Sequence, residues 1–99
     1  MNVISFRKLR EFWEAYPSAE PQLRRWYKIT SNSDWQSIAD TKLDFPHADL
    51  VGVCTVFNIK GNDFRLITKI FYPETILVRN VLTHAEYDKG GWKNDCDCD

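Results

Sequence analysis

Basic and proton-carrying side chains recur at set intervals in the second half of the chain. The set that could act chemically comprises Lys60, Arg65, Arg79, His84 and Tyr87, with Asn58, Lys69 and Lys89 as further RNA-binding candidates. The strands that carry them bring no set of facing carboxylates of the kind that holds a catalytic metal ion. These residue types suit cleavage of RNA, and we predict that the reaction uses neither a metal nor another cofactor.

Metal-free cleavage of RNA uses the 2′-hydroxyl beside each phosphate as its nucleophile. The protein must supply a base, an acid for the leaving 5′-oxygen, and fixed cations for the charge that develops on the phosphate. Arginine holds two phosphate oxygens and keeps its charge, so Arg65 and Arg79 are predicted to clamp the phosphate. Imidazole exchanges protons near neutral pH, which makes His84 the preferred proton carrier. Tyr87 and Lys60 are the other candidates, and the sequence leaves open which group is the base.

Each candidate also has a purely structural interpretation. A strand arginine commonly directs its charge into solvent, and a histidine in the first turn of a helix is commonly a surface residue. Tyr87 could anchor the last helix to the sheet, and Lys60 could solvate the tip of its turn. Asn58 could stabilise the hairpin, and Lys69 could lie at a solvated edge. His47 stays outside the predicted site and is the first alternative if His84 proves remote.

Three strands are predicted to position these residues, at about 51–59, 64–72 and 75–82. Gly61-Asn62 fits a two-residue hairpin loop, which pairs Asn58 with Arg65. Side chains alternate along a strand, so each face of the hairpin has its own character. The polar face carries Asn58, Lys60, Arg65 and Lys69, and the apolar face carries Phe57, Ile59, Phe64, Leu66 and Ile70. The apolar face is predicted to pack against helices.

The turn at Tyr72-Pro73-Glu74-Thr75 decides where Arg79 points. A two-residue loop would place Arg79 on the face opposite Arg65. A three-residue loop, or one bulge, would place both arginines on one face. These residues alone do not choose between the two arrangements.

Thr83-His-Ala-Glu86 fits a capping box that opens a short C-terminal helix carrying His84 and Tyr87. Gly90-Gly91 is predicted to end this helix, and Trp92 to fold back onto the domain.

The first half of the chain predicts helices. Apolar residues at helical spacing form two stripes, at Phe6, Leu9, Phe12, Trp13 and Tyr16, and at Leu23, Trp26, Tyr27 and Thr30. Ser5 is predicted to cap the first helix, and Ser18 to start the second. A capping box at Ser33–Gln36 predicts a short third helix through Ile38, followed by a loop from Thr41 to Asp49.

Composition predicts one domain, at residues 1–95, followed by an acidic, frayed tail at 96–99. The net charge of −1 gives no support to nucleic-acid binding. Asp95, Asp97 and Asp99 supply three of the 14 acids, and without them the chain carries 13 bases against 11 acids. No membrane span or signal peptide is apparent, so we expect a cytoplasmic protein, with Cys54 as a reduced core thiol.

The arrangement resembles the HigB family of bacterial toxins, within the broader RelE-like group of mRNA-cleaving toxins. The residues that carry the resemblance are Phe57-Asn58, Gly61-Asn62, Arg65, Arg79, Val81, Thr83-His84 and Glu86-Tyr87-Asp88. The resemblance implies an α+β fold in which an N-terminal helical hairpin packs on one face of a small antiparallel sheet, with a short C-terminal helix. It also implies the three-residue loop or the bulge before Arg79, and we therefore predict that Arg79 lies on the same face as Arg65.

The same resemblance implies a toxin that cleaves mRNA on the translating ribosome. It also implies a partner antitoxin of the HigA type with a helix-turn-helix domain, so that DNA is contacted only indirectly through the antitoxin complex. Two rival functions stay open. One is a non-catalytic RNA- or ribosome-binding module that uses the same basic face. The other is a protein-interaction domain that docks through the aromatic helical hairpin.

Overall fold

A computed structural model describes residues 1–97 of the chain and confirms the predicted α+β fold class. The helices are α1 (Phe6–Ala15), α2 (Glu20–Ser31), α3 (Ile38–Asp44) and α4 (His84–Lys89), with 3₁₀ segments at Pro17–Ala19 and Gly91–Cys96. The strands are β1 (Asn2–Ile4), β2 (Asp49–Val51), β3 (Cys54–Ile59), β4 (Phe64–Phe71) and β5 (Thr75–Thr83). They form one sheet in the order β1-β5-β4-β3-β2, in which β1 is parallel to β5 and the other pairs are antiparallel.

The helical hairpin covers one face of the sheet, as predicted. Leu9 and Trp13 of α1 and Leu23 and Trp26 of α2 are buried in the main core. Trp26 meets Phe57 of β3 edge to face, with ring centroids 5.4 Å apart. The apolar hairpin residues predicted for this face pack into the same core.

The β3–β4 hairpin has the predicted register. Asn58 pairs with Arg65, and Ile59 pairs with Phe64 to close the regular ladder. The Asp63 amide donates to the Lys60 carbonyl at 3.1 Å across the turn. Lys60 and Gly61 both have positive φ, of 53° and 62°. Glycine adopts this backbone without steric cost, which explains its place in the turn.

The length of the next loop places Arg79 on the Arg65 face, and a bulge falls at Arg79 itself. Phe71 pairs with Thr75, which leaves a three-residue loop, and a bulge then shifts the β4–β5 register between Ile67 and Thr68. Ile67 pairs with Asn80 and Thr68 pairs with Val78, so Arg79 is the extra residue of β5.

Several boundaries in the first half differ from the predictions. Ser5 precedes α1 in the left-handed conformation and its side chain makes no cap. A 3₁₀ turn follows Pro17, so α2 begins at Glu20. The Ser33 hydroxyl bonds back to the Thr30 carbonyl, and no helix begins there. Instead α3 spans Ile38–Asp44, in place of the predicted loop from Thr41. The Asp40 carboxylate accepts from the Gln36 amide and so satisfies one of the free amides before α3.

The C-terminal segment is ordered against the sheet. Cys54 is buried in the core, but it forms a disulfide with Cys96, so the expected reduced thiol is wrong. Cys96 is also buried, so a frayed terminus is wrong at this residue. Cys98 and Asp99 lie outside the described residues. Between Met1 and Asp97, no helix is both long and apolar enough to cross a membrane.

Candidate functional site

The sheet face turned away from α1 and α2, here called the outer face, carries a second, smaller apolar cluster. Its buried members are Cys54, Val56, Ile67, Trp92 and Cys96, with Leu82 and Tyr87 packed against them. The candidate site residues surround this cluster. They fall into a group at the hairpin turn and a group beside the bulge.

Arg65 is the centre of the hairpin group. It is only 9% exposed. One guanidinium nitrogen, Nη2, donates to Asn62 Oδ1 at 3.1 Å, and Nη1 donates to the Phe64 carbonyl at 3.2 Å. The guanidinium carbon lies 5.1 Å from the centroid of the Tyr87 ring, which is a cation–π distance. Arg65 therefore links the hairpin turn to α4.

α4 places His84 beside the same turn. Thr83 and Glu86 form the predicted capping box, and Gly90 ends the helix with a φ of 76°. The His84 amide donates to the Asp63 carbonyl at 3.0 Å, which ties the helix start to the hairpin. The imidazole is exposed, and its Nε2 lies 3.2 Å from Asp88 Oδ2, one helical turn away. The carboxylate can therefore orient the ring.

Tyr87 acts as an anchor in addition to any chemical role. Its ring stacks on Trp92 with centroids 4.9 Å apart, and the Trp92 indole N–H donates to the Tyr87 carbonyl at 2.9 Å. Trp92 folds back as predicted and is 7% exposed. The structural interpretation of Tyr87 therefore holds, while its ring still contacts Arg65.

Two further candidates border the turn. Asn58 and Lys60 are exposed, and Lys60 Nζ lies 3.8 Å from Asp63 Oδ2. A cavity of about 410 Å³ opens here, lined by His47, Asn58, Gly61 and Asn62. His47 therefore lies next to the hairpin group although it comes from the α3–β2 loop.

Arg79 and Lys69 form the second group, and both face a carboxylate. Arg79 Nε donates to Asp95 Oδ2 at 2.6 Å, and Nη2 donates to Oδ1 at 2.9 Å. Lys69 Nζ lies 3.6 Å from Asp95 Oδ1. The hydrogen bond and charge of Arg79, with the charge of Lys69, lower the pKa of the Asp95 carboxyl below its ordinary value of 3.8, and the same contact raises the pKa of Arg79.

The backbone brings both arginines close, while their guanidinium groups turn to different partners. The bulge places Arg79 beside Ile67, two residues or roughly 7 Å along β4 from Arg65. Arg65 turns to Asn62 and Tyr87, and Arg79 turns to Asp95. The structure thus gathers five candidates at the turn and places Arg79 and Lys69 beyond Ile67. The five are Asn58, Lys60, Arg65, His84 and Tyr87.

Comparison with known proteins adds an independent observation. A model of the HigB_toxin family, the RelE-like toxic component of a toxin-antitoxin system, matches residues 5–90. The chain belongs to this family. It is similar to the mRNA interferase HigB of Escherichia coli O6:H1 (strain CFT073), at 28% identity over 93 residues covering 90% of each chain. It is also similar to the mRNA interferase HigB of Shigella flexneri, at 27% identity over 92 residues covering 89% of this chain and 88% of the relative.

As a member of the HigB_toxin family, the chain is the toxin of a toxin-antitoxin system, and an antitoxin partner is implied. The matched region contains every predicted site residue. Among them, Lys89 is exposed at the end of α4 and borders a cavity of about 360 Å³. The match ends at residue 90, so Trp92, Asp95 and Cys96 lie beyond it.

Sequence reasoning missed Asp95 and the position of His47. By sequence Asp95 belongs with the charges of an acidic tail, and spacing does not reveal the Cys54–Cys96 link that helps to hold it at Arg79. Within residues 1–97, no three His, Cys, Asp or Glu side chains come together in a metal-binding arrangement.

Proposed function

We propose that this toxin is an endoribonuclease that cleaves mRNA on the translating ribosome without a metal ion. The observation that carries the proposal is the convergence of Arg65, His84 and Tyr87 at one turn of a HigB-family chain. The names of the two relatives, both mRNA interferases, support RNA as the substrate. The site of action would then be the cytoplasm, where mRNA is translated.

The reaction is an in-line transfer within the RNA strand. The 2′-oxygen loses its proton to a base and forms a bond to phosphorus, and the bond from phosphorus to the 5′-oxygen breaks. An acid then gives the leaving oxygen a proton, which leaves a 2′,3′-cyclic phosphate and a 5′-hydroxyl. His84 is the leading proton carrier because its imidazole is exposed and has Asp88 as an orienting partner.

The cations stabilise the negative charge that develops on the phosphate oxygens. Arg65 supplies a fixed charge, since its guanidinium is held by Asn62 and Tyr87. Arg79 would clamp the phosphate with its fork of donors, and Tyr87 and Lys60 are secondary proton carriers. Asn58, Lys69 and Lys89 would bind the flanking RNA. The partner that restrains this activity would be a HigA-like antitoxin with a helix-turn-helix domain, through which the complex meets DNA.

The chemistry of the new RNA ends tests the proposal. Purified toxin is added to a translation reaction with a defined mRNA, and the 3′ and 5′ ends of the fragments are characterised. We expect cyclic phosphates and 5′-hydroxyls in the wild-type reaction, and no fragments with His84→Ala. Fragments with 5′-phosphates would indicate water as the nucleophile and overturn the mechanism. RNA binding without cleavage would favour the non-catalytic module.

A further inference from the structure

The 3₁₀ segment Gly91–Cys96, here called the C-terminal strap, lies on the outer face and is fixed at three points. Trp92 stacks on Tyr87 and donates to its carbonyl. Asp95 pairs with Arg79. Cys96 is joined to Cys54, and its carbonyl accepts from the Val53 amide at 3.0 Å. The strap lies entirely beyond the region that matches the HigB_toxin family.

Asp95 meets Arg79 in the way that a phosphate would. Two carboxylate oxygens accept from two nitrogens of one guanidinium, which is the fork geometry that arginine uses for phosphate oxygens. Lys69 approaches one of the same oxygens. The strap therefore occupies the two cations that the proposed function assigns to RNA.

We propose that the strap is an autoinhibitory intramolecular ligand of Arg79 and Lys69, held in place by the Cys54–Cys96 disulfide and released when a dithiol reduces that bond. This inference rests on the proposed function. Because Asp95 is bonded directly to Cys96 in the chain, the disulfide keeps the carboxylate at Arg79 and RNA must displace a tethered competitor. After reduction, the strap keeps its contacts at Trp92 and the Asp95–Arg79 ion pair, but it loses the covalent link to β3, so RNA displaces the carboxylate more easily.

The redox step is a thiol–disulfide exchange. One thiolate of the dithiol attacks one sulfur of the Cys54–Cys96 bond and forms a mixed disulfide, and its second thiolate then releases the other cysteine. The dithiol loses two electrons and becomes a disulfide, while Cys54 and Cys96 gain them and take up two protons. Cys54 and Cys96 are both buried, so the exchange requires the strap to lift locally from the sheet first.

The test measures RNA binding apart from cleavage. The protein carries Cys98→Ser, so that only Cys54 and Cys96 can pair, and the probe is a single-stranded RNA with 2′-deoxy nucleotides that cannot be cut. Oxidised protein, dithiothreitol-reduced protein and oxidised Asp95→Asn are compared. Asp97→Asn is the matched control, because it removes one charge from the same segment and no ion pair of Asp97 is found within residues 1–97.

We expect Asp95→Asn to bind the RNA about tenfold more tightly than the oxidised parent, the scale of one charge-assisted contact. Reduction should produce a similar gain, and Asp97→Asn should match the parent. A Cys96→Ser variant repeats the reduced state without a reductant. In a translation reaction free of reductant, Asp95→Asn and Cys96→Ser should also cleave mRNA faster than the oxidised parent and Asp97→Asn do.

Different failures have different meanings. If Asp95→Asn binds the RNA no more tightly than the oxidised parent, or cleaves mRNA more slowly than the parent does, Asp95 supports Arg79 and does not inhibit it. That result overturns the inference and leaves the proposed function standing. If neither the reduced protein nor Asp95→Asn cleaves mRNA, although both are folded by circular dichroism, the proposed function fails and the inference fails with it.

Discussion

Arg79 and Asp95 form a two-pronged ion pair on the outer face, with nitrogen–oxygen distances of 2.6 and 2.9 Å. One partner lies within the region that matches the HigB_toxin family and the other lies beyond it. The pair exists because the register of β5 turns Arg79 outward and the Cys54–Cys96 bond holds the residue after Asp95 at the sheet. Arg79 therefore has a structural contact in addition to its proposed chemical role.

Replacing Arg79 should remove a phosphate clamp. In reduced protein, Arg79→Ala is expected to lower the rate of mRNA cleavage about 100-fold, as for removal of one fixed donor to a developing negative charge. Arg79→Lys keeps the charge and loses the fork, so it should recover only part of the rate. Arg10→Ala, an exposed α1 arginine next to Glu14, is the control and should cleave normally. Equal rates for all of these variants would remove Arg79 from the site.

The two histidines should differ sharply in their importance. His84→Ala is expected to lower the cleavage rate at least about 100-fold, the scale of a lost proton carrier. His47→Ala should change it much less, because His47 only lines the neighbouring cavity. Asp88→Asn, which loses the charge that orients His84, should fall between them. The assay is single-turnover cleavage with toxin in excess. If His47→Ala lowers the cleavage rate more than His84→Ala does, His47 would be the proton carrier and His84 the peripheral residue.

Arg65 should matter for folding as well as for catalysis. Its guanidinium is nearly buried and holds both the turn and Tyr87, so Arg65→Ala is expected to cost about 2 to 3 kcal/mol of unfolding free energy. Urea unfolding followed by tryptophan fluorescence measures this, again with Arg10→Ala as the control. A variant as stable as the parent would show that Arg65 is a free surface cation.

The Asp95–Arg79 pair predicts a specific dependence on pH. The pKa of Asp95 is lower in the folded protein than in the unfolded chain, so its contribution to stability is fully present above the unfolded value. That contribution is lost as pH falls through the lower folded value. The difference in unfolding free energy between parent and Asp95→Asn should therefore be constant from pH 7 to about 5 and shrink as pH falls below 3.8. A difference that grows on acidification would contradict the pairing.

The features that depend on local pattern could be predicted from the sequence. The stripes of α1 and α2, the Asn58–Arg65 register and the Thr83–Glu86 cap each involve residues close in the chain, and each is confirmed, except that Tyr16 follows α1 and is exposed. α3 was missed because it is short and only Thr41 is buried along it, so its apolar signal is weak.

The features that depend on long-range contacts could not be predicted. The direction of Arg79 depends on the length of the β4–β5 loop, which the sequence does not fix. The Cys54–Cys96 bond joins positions 42 residues apart, and nothing in the local pattern around either cysteine indicates the pairing. The predicted fold-back of Trp92 brings this segment to the domain, but it does not place Asp95 at Arg79.

The most direct test of the central claim is mapping of RNA ends in cells that express the toxin, with translation active or blocked. We predict new 5′-hydroxyl ends within translated messages, lost on blocking translation and absent with His84→Ala at equal protein level. Unchanged transcripts in cells that accumulate folded, reduced wild-type protein would contradict the account, as would identical cleavage by His84→Ala.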